Sequence, residues 1–351
     1  MHPAADIVRH AEGLRVQGRA AEADRVLEMA FSMAFMEAGG LPCACKIAPV
    51  GDLPVPLASP AHALVQVCRR SLLVHFREGF EQTPAISLHA LAPLARLFSH
   101  IAGRLPDDRL RQIVVNVSDG CEIEGDYPRV SPSCSRADTI LVPDHHFANE
   151  EGYAGLRRQA AAAPPWRERR DVVFWRGAGV GRPLGKPVRY QRLELCRRAR
   201  QSPFADRLDI GVTDLSGILD EGQRAGAGDL IKPFVPKSEF PSYRYHIDVD
   251  GWSNSWVLLE KLIMGVTVVK IGSAFGYRQW FYDRLEPWRN CVPVRADLAD
   301  FDEKMAWLFS APDEAERIAA AGRGLAEEIR FAPEMAEAER RITQALRPAP
   351  V

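Results

Sequence analysis

The stretch that decides the fold runs from Tyr245 to Lys270 and reads YHIDVDGWSNSWVLLEKLIMGVTVVK. Residues 245–249 are predicted to form a strand. Gly251 marks a tight turn, and residues 253–264 carry a helical pattern. The largely apolar run at 266–271 predicts another strand. The succession of strand, helix and strand indicates a parallel sheet of the α/β class.

The same alternation extends outward from this stretch. Pro164 and Pro165 interrupt an alanine-rich helix at 153–163, and we place a domain boundary there. Further strands are predicted at 113–117, 139–142, 172–175, 208–212 and 292–294, and further helices at 4–37, 61–77, 86–103, 189–200, 300–310 and 312–347. The predicted organisation is an N-terminal helical segment (1–40), a first domain (41–164), a second domain with a parallel sheet (165–311) and C-terminal helices (312–351).

Bulk composition excludes several classes of protein. The chain has 351 residues, 46% hydrophobic and 26% charged residues and a formal net charge of −1, which predicts a globular protein with no general affinity for nucleic acid. Residues 157–200 hold thirteen Arg and Lys against three Asp and Glu; such a segment suits phosphates, an anionic membrane or simply a solvated helix face. No apolar run reaches the roughly 18–20 residues of a membrane span. Without a signal-like start or a cysteine framework, we expect a cytoplasmic protein with reduced thiols.

The turn after the strand at 245–249 is the first candidate site. Ser253 or Asn254 can cap the predicted helix, and the free N–H groups of a helix start, here Ser253 to Ser255, suit a diphosphate. An ordinary capped turn would look the same. Asp248 and Asp250 also form a D-x-D pair that could share Mg²⁺ or Mn²⁺, because carboxylates two apart on a strand point the same way.

A glycine-rich basic loop is the second candidate. Residues 172–182 read VVFWRGAGVGR, a strand followed by Arg176, Gly177 and Arg182. Glycines let the backbone approach a phosphate and an arginine fork grips its oxygens. The G-K-[ST] ending of a P-loop is absent.

Asp119 is the third candidate. It follows the strand at 113–117 in the sequence NVSDG, where a carboxylate can serve as a general base. Aspartate is also a common occupant of strand-ending turns, so the position alone leaves both interpretations open. The aromatic run Tyr277, Trp280, Phe281, Tyr282 and Trp288 could stack a base or a sugar, but packing in the core is the favoured interpretation.

The order and spacing of these segments resemble glycosyltransferase family 90, from about Ile113 to Gly324. The similarity is strongest in YRYHIDVDGWSNSWVLLEKLIMGVTVVKIGS and in QWFYDRLEPWRNCVPVRADLADFDEKMAWL. The segments VVNVSD, SCSRADTILVPDHHF and VVFWRG follow the order of the family.

The resemblance implies a GT-B architecture with two Rossmann-like domains and a cleft, a UDP-sugar donor, inversion at the anomeric carbon and no metal. The family's catalytic aspartate falls on Asp119, and Gly251 and Trp252 match positions that line the nucleotide. An arginine of eukaryotic members is replaced here by Val257, and their R-G-S-R loop is replaced by Arg176-Gly-Ala-Gly. Arg182 or Lys261 is the predicted substitute for the missing charge.

The resemblance, together with the candidate residues, implies an inverting, metal-independent glycosyltransferase. It would move glucose, xylose or a related sugar from UDP to a surface glycan, lipid-linked glycan or lipopolysaccharide-type acceptor, in the cytoplasm or against the inner membrane face. The predicted donor-binding residues are Arg176, Gly177, Arg182, Gly251, Trp252, Ser253, Asn254, Ser255 and Lys261. The alternative is a non-catalytic protein that binds nucleotide sugars or a partner.

Overall fold

The computed structural model describes residues 3–53, 57, 59, 61–80, 88–117 and 129–346. The chain divides into two compact units. Unit 1 comprises Met1–Glu151 and Phe331–Val351, and unit 2 comprises Gly152–Arg330. Each unit has its own β-sheet and its own hydrophobic core. The predicted α/β class is confirmed.

Unit 1 is built on a six-stranded mixed sheet in the order β1-β3-β2-β4-β5-β6. Its elements are α1 (Pro3–Val16), α2 (Ala20–Gly39), β1 (Cys43–Ala48), β2 (His62–Cys68), β3 (Ser71–Arg77), α3 (Leu88–Arg104), β4 (Arg111–Asn116), β5 (Arg129–Ser131), β6 (Ile140–Leu141), α4 (His145–Asn149) and, from the chain end, α11 (Phe331–Ala345). Strand β2 is antiparallel to both of its neighbours, whereas β4, β5 and β6 run parallel. The sheet is therefore mixed, whereas the sheet of a Rossmann-like domain is mostly parallel.

The prediction of a helix at residues 61–77 is wrong. These residues form the β2–β3 hairpin, with its turn at Arg69 and Arg70. Strand β2 is central in the sheet and buried along almost its whole length. Burial on both faces removes the alternation of polar and apolar residues that marks a strand in sequence.

The N-terminal helices belong to unit 1 and do not form a separate segment. Leu27, Phe31 and Phe35 of α2 lie in the core. The ring of Phe31 packs against Phe76 and Phe80, with centroid distances of 5.6 and 5.2 Å. This packing joins residues 1–40 to the sheet.

Unit 2 contains a five-stranded sheet in the order β11-β10-β9-β7-β8, in which every described pair of strands is parallel. Its elements are α5 (Ala154–Ala161), β7 (Arg170–Gly177), α6 (Gln191–Gln201), β8 (Leu208–Val212), α7 (Glu221–Ala225), β9 (Tyr243–Asp248), α8 (Leu258–Ile263), β10 (Thr267–Ile271), β11 (Val292–Val294), α9 (Phe301–Ser310) and α10 (Pro312–Glu328). This is the doubly wound arrangement expected of the second domain.

The unit boundaries differ from those expected at residues 164 and 312. Helix α5 lies in unit 2 and packs against α8. Arg157 of α5 donates to the carbonyl oxygens of Ala326 and Ile329, at 2.8 and 2.7 Å. The C-terminal helices are divided, because α10 belongs to unit 2 and α11 to unit 1. No helix in the described ranges combines the length and the apolar character needed to span a bilayer.

Candidate functional site

The centre of the unit 2 sheet is a topological switch point. From β7 the chain crosses to β8 on one side, whereas β9 lies on the other side of β7 and leads on to β10. The loops that follow β7 and β9 therefore leave neighbouring strand ends in opposite directions. In open α/β sheets, ligands bind in the crevice at such a point, outside the carboxyl ends of the strands.

Direct contacts join these two loops, which we call the β7 loop (residues 178–190) and the β9 loop (residues 249–257). The backbone N–H of Arg182 donates to the carbonyl oxygen of Gly251 at 3.4 Å. Arg192 of α6 clamps both loops, because its guanidinium donates to the carbonyl oxygens of Asp250 (3.0 Å) and Ala178 (2.9 Å). The clamp fixes the relative position of the two loops.

Arg182 lies among aromatic rings from the β9 loop and from the segment that follows β10. Its Cζ is 5.8 Å from the ring centroid of Trp252, 5.2 Å from that of Phe275 and 4.9 Å from that of Tyr277. Its guanidinium also donates to the Tyr277 hydroxyl. Trp252 and Phe275 remain 38% and 39% exposed. A cation at this edge of the sheet suits a phosphate or another anionic group.

Arg176, the other arginine of the motif, is engaged in the fold. Its guanidinium forms an ion pair with Asp209 at 2.6 Å and donates to the carbonyl oxygens of Asp209 and Pro233. Only 6% of its side chain is exposed. The structure therefore brings Arg182, and not Arg176, to the junction of the two loops. Gly177 is the last residue of β7 and precedes the β7 loop. Its carbonyl oxygen accepts a hydrogen bond from the N–H of Thr213 at 2.9 Å.

The helix after the β9 loop begins later than the sequence predicted. Helix α8 starts at Leu258, and its N-cap residue Val257 makes no side-chain capping bond. Ser253, Asn254 and Ser255 are buried in the loop. These three residues therefore do not form a helix start, and the expected diphosphate site on helix N–H groups is not present there in the described structure.

Asp248 and Asp250 of the D-x-D pair are held by two lysines. Lys261 lies 2.7 Å from Asp248 Oδ1, and Lys270 lies 2.9 Å from Asp248 Oδ2 and 3.0 Å from Asp250 Oδ1. Burial acts to raise the pKa of Asp248, but the charges of Lys261 and Lys270 outweigh it and hold that pKa well below its usual range. Within the described ranges, no group of three or more His, Cys, Asp or Glu side chains has a geometry suited to a metal ion.

Lys261 consequently has a structural partner. Its ammonium donates to Asp248 and to the carbonyl oxygen of Ile247 (2.9 Å), and 4% of its side chain is exposed. Of the two cations expected to replace the missing arginine, Arg182 is the one at the loop junction. Asp119 lies outside the described residues, and its role stays a prediction.

Most of the basic segment at 157–200 is bound within unit 2. Arg167 pairs with Asp313 and Glu316, and Arg198 pairs with Asp302. Other arginines of the segment bind carbonyl oxygens or carboxylates elsewhere in the unit: Arg157, Arg169, Arg176, Arg192, Arg197 and Arg200. These bonds give most arginines of the segment a partner within unit 2, without a membrane or a phosphate.

The sequence did not reveal two features of this site. Arg192 lies inside a helical pattern, and nothing local distinguishes it from a solvated arginine. Phe275 follows the strand that becomes β10, in the sequence GSAFGY, and the break to small residues and glycines is the one local signal of an exposed loop. Within the aromatic run, Tyr277 and Phe281 are buried, as the packing interpretation predicted, whereas Trp288 is 45% exposed and contradicts it.

The profile of glycosyl transferase family 90 matches residues 138–331, which is more than half of the chain. The chain belongs to glycosyl transferase family 90. The matched span includes the β7 loop, the β9 loop and the segment around Phe275.

Curated relatives of this family 90 chain include protein O-glucosyltransferase 2 of Danio rerio, 32% identical over 168 residues, and protein O-glucosyltransferase 3 of Homo sapiens, 28% identical over 174 residues. These alignments cover 48% and 50% of this chain and 31% of each relative, so the match spans about a third of their length. Among solved structures, HepE of Anabaena in complex with UDP-glucose overlaps 56% of this chain and 52% of its own, with 13% identity and a TM-score of 0.33.

Proposed function

We propose that this chain is a glycosyltransferase that moves a sugar such as glucose or xylose from a UDP-sugar to an acceptor hydroxyl. Membership of glycosyl transferase family 90 supports the reaction class. The observation that carries the proposal is the junction at the switch point, where Arg182 of the β7 loop binds Gly251 of the β9 loop. An anion-binding side chain at that position suits the diphosphate of a donor.

In the proposed reaction, Asp119 acts as the general base. Its carboxylate takes the proton of the acceptor hydroxyl while the hydroxyl oxygen bonds to the anomeric carbon. The bond between that carbon and the β-phosphate oxygen breaks in the same step, and UDP leaves with the bonding electron pair. A single displacement of this kind inverts the anomeric configuration.

Arg182 stabilises the negative charge that develops on the departing UDP. It replaces both the helix start expected at Ser253–Ser255 and a divalent metal ion. Metal independence is part of the proposal, and it is supported by the ammonium partners of Asp248 and Asp250, which would have to be displaced before those carboxylates could bind Mg²⁺ or Mn²⁺.

We further propose that the acceptor is a surface glycan, a lipid-linked glycan or a lipopolysaccharide-type molecule and that the protein works in the cytoplasm or against the inner membrane face. Exposed arginines outside the ion pairs of residues 157–200, such as Arg158 and Arg189, are available for the contact with an anionic surface.

The experiment is a panel of UDP-sugars assayed for transfer and for slow donor hydrolysis, with and without EDTA. Wild-type protein should turn over at least one donor in EDTA, and Asp119→Asn should lose turnover while UDP binding, measured by calorimetry, is retained. Asp206→Asn, at an exposed position in unit 2, is the matched control. A wild-type protein that binds UDP but neither transfers nor hydrolyses any sugar would instead be a non-catalytic nucleotide-sugar-binding protein.

A further inference from the structure

Two partly exposed aromatic rings flank the cation at the switch point. Trp252 comes from the β9 loop and is 38% exposed, and Phe275 comes from the segment after β10 and is 39% exposed. Two other large rings of unit 2, Phe234 and Trp288, are also exposed, at 76% and 45%. We call Trp252, Phe275 and the buried Tyr277 the aromatic platform.

Arg182 holds the platform in place. Its guanidinium carbon lies within 5.8 Å of all three ring centroids, and it donates a hydrogen bond to the Tyr277 hydroxyl. Tyr277 is anchored in turn, because its backbone N–H donates to Ser273 Oγ at 2.9 Å. Rings fixed by a cation–π contact lose little further conformational freedom when a ligand packs on them.

The position of the platform indicates which part of a donor it meets. In doubly wound dinucleotide-binding sheets the pyrophosphate lies at the turn after the first strand, here β7, and an acidic residue about 20 positions further along the chain binds the ribose, which directs the nucleoside toward the second strand, here β8. The platform lies on the opposite side of β7, over the ends of β9 and β10. In a UDP-sugar, the transferred sugar is bonded to the end of the diphosphate that is opposite to the nucleoside. The platform therefore lies on the side where we expect the transferred sugar.

We propose that Trp252 and Phe275 form the binding surface for the transferred sugar, with Arg182 between that sugar and the diphosphate. The inference rests on the proposed function, and it assigns Trp252 to the sugar end of the donor, whereas the resemblance matched Trp252 to a position that lines the nucleotide. One face of a pyranose exposes mainly C–H groups, which pack on an aromatic ring by dispersion and by burial of apolar area. The rings then select donors by the position of their axial and equatorial hydroxyls, because an axial hydroxyl on the packed face separates the two surfaces.

The test uses donor hydrolysis with UDP-glucose, UDP-galactose and UDP-xylose, and inhibition by UDP. Phe275→Ala should lower kcat/KM for the preferred donor by about tenfold or more and reduce discrimination between glucose and galactose, whereas the inhibition constant of UDP should change by less than about twofold. Phe275→Tyr keeps the ring and should retain both properties. Phe234→Ala is the matched control, because Phe234 is 76% exposed in unit 2 and is not part of the platform.

Two outcomes would overturn the inference while leaving the proposed function intact. If Phe275→Ala weakens UDP binding as much as it lowers kcat/KM for the donor, the ring binds the nucleotide. If the donor kinetics are unchanged and the acceptor KM is raised, the ring binds the acceptor. Thermal unfolding of each variant separates both from a folding defect. If wild-type protein hydrolyses and binds none of the UDP-sugars, it is the proposed function that fails.

Discussion

Arg176 and Arg182 belong to one short motif but have different environments. Arg176 is bound to Asp209 and to backbone carbonyls, whereas Arg182 lies among half-exposed rings. We therefore expect Arg182→Ala to raise the donor KM or lower kcat by about tenfold or more with little change in Tm. Arg176→Ala should lower Tm, because Asp209 loses a buried partner. Kinetics and thermal unfolding of both variants test the contrast, and unchanged kinetics in Arg182→Ala would remove this residue from the site.

Gly251 is required by a close contact with the Arg192 clamp. A Cβ at this position would lie 2.7 Å from Nη2 and 3.0 Å from Cζ of Arg192, whose guanidinium is fixed by two carbonyl oxygens. Gly251→Ala should therefore displace the clamp, lower Tm and raise the Kd of UDP. Gly181→Ala is the control for stability, because its Cβ would meet Gly251 O at an ordinary 3.5 Å. Equal Tm values for the two variants would contradict this account.

At the scale of elements, a buried charge cluster joins β9 to β10 and α8. Lys270 of β10 binds Asp248 and Asp250, and Lys261 of α8 binds Asp248. Burial alone would lower the pKa of Lys270, but the neighbouring carboxylates raise it well above its usual value. Lys270→Met should lower the free energy of unfolding by about 3–5 kcal/mol, since it leaves buried carboxylates short of a partner.

A double variant checks the cause of that loss. Adding Asp250→Asn to Lys270→Met removes the carboxylate that the loss of Lys270 leaves uncompensated, while Asp248 keeps its ion pair with Lys261, so the two effects on the denaturant midpoint should be less than additive. Additive losses would show that Lys270 stabilises β10 through packing of its alkyl chain and not through the cluster.

His246 makes the stability of the β9 region depend on pH. Burial, aided by the charge of Lys261, lowers the pKa of His246 to about 3, and its Nε2–H donates to the Phe240 carbonyl at 2.9 Å. The unfolded chain takes up the proton near pH 6.5 and the folded chain does not. The contribution of His246 to the free energy of unfolding is therefore fully present above pH 6.5. It falls by about 1.4 kcal/mol for each pH unit as the pH decreases from 6.5 toward 3.

His246→Gln isolates this contribution, because glutamine keeps an N–H donor but does not titrate. Chemical denaturation of both proteins between pH 4.5 and 7.5 gives the free energy of unfolding as a function of pH. Below pH 6.5 its slope should be smaller for His246→Gln than for the wild type, by about 1.4 kcal/mol per pH unit. Identical slopes would mean that His246 takes up its proton at the same pH in the folded and in the unfolded chain.

At the scale of the whole molecule, the last helix completes unit 1 although it follows unit 2 in sequence. Ile342 of α11 is buried in the unit 1 core, and Glu339 pairs with His100 and Arg104 of α3. Ile342→Ala should cost about 2–5 kcal/mol in the unit 1 transition and leave the unit 2 transition in place. Calorimetry combined with limited proteolysis distinguishes the units, and a common shift of both transitions would show that they unfold together.

Local patterns predicted unit 2 well. The runs at 208–212 and 292–294 coincide with β8 and β11, and residues 300–310 with α9 apart from one residue. Unit 1 was predicted less well. The β2–β3 hairpin was mistaken for a helix, because central strands buried on both faces do not alternate in polarity.

The site was predicted in part. The sequence located both loops at the switch point, because the glycines and the ends of the apolar runs are local features. It could not distinguish Arg182 from Arg176, since the difference is the presence of Asp209 on a neighbouring strand. The sequence likewise predicted Lys261 as a donor-binding residue, although this lysine is buried in an ion pair with Asp248.

The sequence by itself therefore determined the α/β class, the strands of unit 2, the two loops and the family. These follow from hydrophobic periodicity and from residues adjacent along the chain. Only the tertiary structure decided the start of α8, the pairing of the buried charges, the assignment of α11 to unit 1 and the meeting of Arg182 with Trp252, Phe275 and Tyr277. Each of these depends on contacts between residues distant in sequence, and burial sets their energy. No local pattern encodes which partner a side chain will have once the strands are assembled.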